Sequence, residues 1–144
     1  MNGRVVTLLA VLSTAAIVTS VALSARRSSV YGNYTAMLSR SGLDASGIDT
    51  GNVGGSGVWH LSITRRSLTF RPPNPYPATT YPLVSVTADR ITLGPEAACS
   101  TTFGRTHKSI FKLVPTAAGL RFIKVAVACP EDGGALAVAP WRKR

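Results

Sequence analysis

Two cysteines, two histidines and six carboxylates are all that this 144-residue chain offers to metal, redox or acid–base chemistry. Metal sites need such groups in clusters. Here His60 and His107 are far apart, and Asp44, Asp49, Asp89, Glu96, Glu131 and Asp132 all fall in turns or loops. No metal and no cofactor is expected. There is no Gly-x-Ser-x-Gly element, and Gly54-Gly55-Ser56-Gly57 lacks that spacing and reads as a hinge. Without a Cys-x-x-Cys pair a redox role is not expected. No catalytic residue is assigned, and the chain reads away from an enzyme. Aromatics make up only 7% and are not interleaved with the basic residues. A stacking platform for nucleic acid needs both together, so nucleic acid is not an expected partner.

Against six acidic residues stand 16 Lys and Arg, a net charge of +10. A field of that sign attracts anionic partners, such as acidic lipid headgroups or envelope polymers. An Arg-rich composition also follows from codon usage alone, so charge by itself does not name a partner. Arg65, Arg66 and Arg71 share one predicted hairpin and are the first candidates for such a contact.

The first residues have the pattern of an export signal. Arg4 is followed by an uncharged run, Val5 to Leu23, and then by small residues around Ser20-Val21-Ala22 and Ala22-Leu23-Ser24. Residues 1–27 are read as a hydrophobic helix, either a cleaved signal peptide or a membrane anchor, and 28–144 as one domain. The domain is expected outside the cytoplasm, secreted or held at the envelope by residues 5–23.

Beyond the leader no long helical period is found. Trp59, Leu61 and Ile63 alternate with Val58, His60 and Ser62, the mark of a half-buried strand. Leu68 and Phe70 answer them after a turn at Thr64-Arg65-Arg66. Tyr34–Leu38, Thr79–Thr87, Arg90–Leu93, Phe103–Val114 and Leu120–Cys129 read as further strands, and Ala135–Trp141 (ALAVAPW) as the last. Ser39–Gly57 reads as a long loop with one helical turn near Leu43–Ile48. The final Arg142-Lys143-Arg144 reads as a frayed tail. About eight short strands with frequent turns predict an all-β, antiparallel up-and-down barrel. Such a barrel is just wide enough for side chains or one small ligand.

Cys99 and Cys129 form an even pair in a chain read as exported, which predicts a disulfide. It would close a loop of about 30 residues and contribute on the order of 3–4 kcal/mol in the chain-entropy model.

At Gly57-Val58-Trp59 the chain resembles the calycin superfamily, the lipocalin-like barrels, whose mark is Gly-x-Trp on an early strand with a basic side chain packed over the Trp. Arg142 or Arg144 would supply that partner. Asp89-Arg90-Ile91-Thr92 and Trp141-Arg142 are similar to small secreted actinobacterial proteins without an established function. The lipocalin Thr-Asp-Tyr element is absent. The resemblance implies a small apolar or amphiphilic ligand in the barrel. Trp59, Leu61, Ile63, Leu68, Phe70 and Phe122 would line it. Two other readings stand beside this one. The first is a basic envelope-interaction protein with no cavity. The second is a barrel cyclase or isomerase, for which His60 would be the polar group inside. Nothing in the sequence sets the oligomeric state.

Overall fold

Side chains on alternate sides of a strand let a sheet bury one face and wet the other. In the computed structural model that alternation closes into a cylinder. The structure describes residues 29–48, 54–95, 108–127 and 130–144. The predicted leader, Cys99, Cys129 and His107 lie outside the described residues.

Eight strands form one closed antiparallel barrel in which each strand pairs with its sequence neighbours and β1 pairs with β8. They are β1 (Gly32–Leu38), β2 (Gly57–Ile63), β3 (Ser67–Arg71), β4 (Thr79–Val86), β5 (Arg90–Leu93), β6 (Ser109–Thr116), β7 (Gly119–Ala126) and β8 (Trp141–Lys143). This is the predicted all-β, up-and-down architecture. Closure removes the unpaired edges that an open sheet would expose.

Among the described residues two short helices accompany the barrel. In α1 (Arg40–Ala45), the Ser39 hydroxyl accepts from the Gly42 N–H at 3.1 Å and caps the first turn. The second, α2 (Pro130–Val138), replaces most of the strand expected over Ala135–Trp141. Pro at the first helical position is preorganised for a helix, and Ala, Leu and Ala at 135–137 are good helix formers. The tail expected to fray is instead β8, held by β1 on one side and β7 on the other. Strand β6 likewise runs through Pro115, which pairs with Leu120, and the turn narrows to Ala117-Ala118.

Side chains fill the barrel. Trp59, Phe70, Tyr81, Phe111, Phe122 and Trp141 are all buried, together with the inward Leu and Ile of β2, β3, β5 and β6. Leu43 from α1 and Ala135 and Leu136 from α2 join the same cluster, so the helices belong to the core. Ring centroids of Trp59 and Phe70 are 5.7 Å apart, as are those of Phe70 and Tyr81, while Phe111 meets Phe122 edge-on at 5.9 Å. These are favourable aromatic separations.

The glycine hinge ahead of β2 has a steric reason. Gly54 sits at φ +157°, and a Cβ there would lie 2.6 Å from the Trp59 ring. The indole N–H then donates to the Gly55 carbonyl at 3.0 Å. The hinge is the lid on Trp59.

Candidate functional site: the outer wall of the barrel

The structure places the six predicted lining residues together, and it places them in packing. Trp59, Leu61, Ile63, Leu68, Phe70 and Phe122 are each at most 2% exposed. Three pockets formed by described residues lie elsewhere, and of the six only Leu61 borders one of them. His60 is exposed and points away from the core, so it is not a polar group inside the barrel. The cation expected over Trp59 is also differently placed. Arg142 pairs with Thr35 on the outer face, whereas Trp59 points inward. It is Lys143 that reaches a ring, its ammonium 5.8 Å from the Tyr34 centroid and donating to the Ser29 carbonyl at 2.8 Å. Burial pushes the Tyr34 phenol up from its ordinary value. It stays neutral and donates to the Val30 carbonyl at 2.7 Å.

The three arginines singled out in the β2–β3 hairpin do not form one cluster. Arg65 and Arg66 sit in the turn, while Arg71 ends β3 at the other end of the barrel. A strand rises about 3.3 Å per residue, so they are separated by most of the wall's height.

Cross-strand register makes two other groupings, which sequence spacing did not reveal. On the outside of β5–β7, Arg90 lies directly opposite Lys112, and Lys112 opposite Ile123. Val114 faces Arg121 in the next outward row. Ile123 and Val125 stand 45% and 53% exposed beside them, whereas Lys124, though exposed, is registered with the inward Phe111.

On the outside of β8–β1–β2–β3 a row runs Arg142–Thr35–His60–Arg71. Beside it runs a polar row, Asn33–Ser62–Thr69–Thr80, and the Arg144 N–H donates to the Asn33 carbonyl at 2.9 Å. Neighbouring strands are about 4.8 Å apart, so groups in one row are within reach of one small ligand.

The described side chains include twelve Lys and Arg but only two carboxylates, Asp44 and Asp89. Among the described residues Arg40 and Asp44 form the one ion pair, at 3.8 Å and well exposed. Asp89 accepts from the Thr87 hydroxyl at 3.1 Å. No wall cation of either face is within ion-pair distance of a described carboxylate. No group of three or more potential metal ligands occurs among the described residues.

No protein-family model matches the chain, and no curated protein or solved structure does. The closed eight-stranded antiparallel barrel is consistent with a lipocalin-like architecture.

Proposed function

We propose that the protein is an exported, basic β-barrel that docks on an anionic lipid surface of the cell envelope through the outer face of β5–β7. One observation carries this reading. Arg90 and Lys112 are directly opposed across β5 and β6. Like charges in that position destabilise a sheet, by roughly 0.2–1 kcal/mol. Anionic headgroups between them turn the repulsion into attraction. The half-exposed Ile123 and Val125 next to them supply apolar contact at the headgroup boundary. Basic side chains near a negatively charged membrane are worth about 1 kcal/mol each. The export signal read at residues 1–27 would deliver the domain to that surface, and Cys99 and Cys129 would be able to bridge there.

The test is co-sedimentation of the mature domain with vesicles. Binding to phosphatidylglycerol vesicles should be strong and to phosphatidylcholine vesicles weak, and it should fall as salt rises. The triple change Arg90→Gln, Lys112→Gln, Arg121→Gln should weaken it about a hundredfold, on the basis of three such contacts. Equal binding to the two lipids, or indifference to salt, would sink the proposal.

A further inference from the structure

The opposite wall carries a different kind of surface. Two grooves of about 690 and 670 Å³ lie there. The first is lined by Ala36, Met37, Val58, Ala117, Ala139 and Pro140, among others, with Thr35 and Arg142 at its border. The second is lined by Asn33, His60, Ser62, Thr69, Arg71 and Arg144 over a floor of Tyr34 and Leu61. The cross-strand row Arg142–Thr35–His60–Arg71 links them: its first two residues border the apolar groove and its last two the polar one.

We infer that this wall is a binding site for a single amphiphile, with one acyl chain in the apolar groove and a phosphate headgroup in the polar one. This site shares no residue with the β5–β7 docking face. Met37 and Val58 are a cross-strand pair with 67% and 43% of their surface in water. Apolar side chains left that exposed side by side, with alanines and a proline around them, are a surface that gains by being covered. In the polar groove the charged side chains, Arg71 and Arg144, are both cationic. The guanidiniums of Arg71 and Arg144 offer five donors each, and Asn33, His60, Ser62 and Thr69 can add neutral ones. None of the Arg71, Arg142 and Arg144 side chains has a hydrogen-bond or ion-pair partner among the described residues. A donor set of that size exceeds what the two oxygens of a carboxylate accept. It matches a phosphate, which has more acceptor oxygens and pairs with Arg in a forked geometry. The ligand so recognised is a phosphate-bearing, single-chain amphiphile, bound on the outside of the barrel and not within it.

Calorimetric titration of the mature domain with dodecyl phosphate, kept below its micelle concentration, tests this directly. One saturable site per chain is expected. Inorganic phosphate and the uncharged dodecyl maltoside, each offering half of the match, should bind at least about tenfold more weakly. Arg71→Gln with Arg144→Gln should lower dodecyl phosphate affinity about tenfold or more. Met37→Ser with Val58→Thr should lower it as well while leaving the weak phosphate affinity unchanged. Arg65→Gln with Arg66→Gln removes the same charge from the hairpin turn and should change nothing. The β5–β7 triple variant should also keep full affinity, so failure of vesicle docking and failure of this site are separate results. All three pairs of substitutions lie on exposed positions, and a cooperative urea transition confirms the fold of each variant. The inference is overturned if no saturable site is found, if phosphate alone binds as tightly as the amphiphile, or if the Arg65/Arg66 change costs as much as the Arg71/Arg144 change.

Discussion

Trp59→Ala is expected to destabilise the domain by about 3–5 kcal/mol, the range for deleting a fully buried large aromatic. The ring has no exposed surface. It packs on Phe70, which in turn stacks on Tyr81, so its removal leaves a void at the end of a three-ring run. Gly54 cannot fill that void, because it has no side chain and its backbone is set at a positive φ. The Gly55 carbonyl also loses its indole donor. A domain of this size has on the order of 5–15 kcal/mol in all, so the loss is a large fraction of it. Equilibrium urea unfolding, followed by the remaining Trp141, should show the midpoint fall with little change in slope. Trp59→Phe should lose much less, since it keeps most of the apolar contact. A cost below about 1 kcal/mol for Trp59→Ala would mean that the residue lines empty space. The experiment therefore also separates a filled interior from a ligand cavity.

That separation bears on how the sequence can be read. The inward faces of β2 and β3 were legible, because alternation places Trp59, Leu61, Ile63, Leu68 and Phe70 on one side of the wall. Whether that side encloses a ligand was not legible. The answer depends on residues far away in the chain, such as Tyr81, Phe111 and Trp141, meeting in the same volume. The outer rows were hidden for a related reason. Which residue stands opposite Arg71 or Lys112 is set by register, and register depends on turn lengths and bulges such as those at Leu83/Ser85 and Ile110/Phe111. The Arg65-Arg66 pair drew notice by being adjacent in sequence. Arg71, Arg142 and Arg144 share a face across 73 residues of chain, from 71 to 144, and no local pattern announces it.

The helix α2 was missed through two glycines. Gly133-Gly134 reads as a turn, since glycine weakens a helix interior by about 1 kcal/mol relative to alanine. Tertiary packing overrides that preference here. A Cβ on Gly133 would lie 2.7 Å from Val127, and one on Gly134 would lie 3.2 Å from both Ile48 and the Ser46 carbonyl. Small residues let the helix sit close against the end of the core, and Leu136 anchors it. The Leu136 carbonyl then accepts the Trp141 indole N–H at 3.0 Å, which ties the helix to the strand after it.

That strand is the seam of the barrel, and Gly119→Ala should open it. Strand β8 has three residues, and β7 holds it through only two registered pairs, Gly119 with Arg142 and Leu120 with Trp141. A Cβ on Gly119 would run into the Trp141 carbonyl oxygen, with the Lys143 amide nitrogen at 2.9 Å and the Arg142 Cα at 3.0 Å. All three obstacles are backbone, so no rotamer change relieves the overlap. Overpacking in a core commonly costs 1–3 kcal/mol because side chains can shift; here the strand itself must move, and about 3 kcal/mol or more is expected. As β8 shifts, the Lys143 amide loses the Ala118 carbonyl, and Trp141 is drawn from the core. Arg142 and Arg144 move with it, so dodecyl phosphate affinity should fall together with stability. Hydrogen exchange should locate the damage, with protection lost first in residues 141–144 and at the start of β7. Ala117→Gly, two residues earlier on an exposed turn, should cost no more than about 1 kcal/mol. If Gly119→Ala left both the urea midpoint and the exchange of β8 unchanged, β8 would not be what closes the wall. The placement of Arg142 and Arg144 on the outer face would then fail with it.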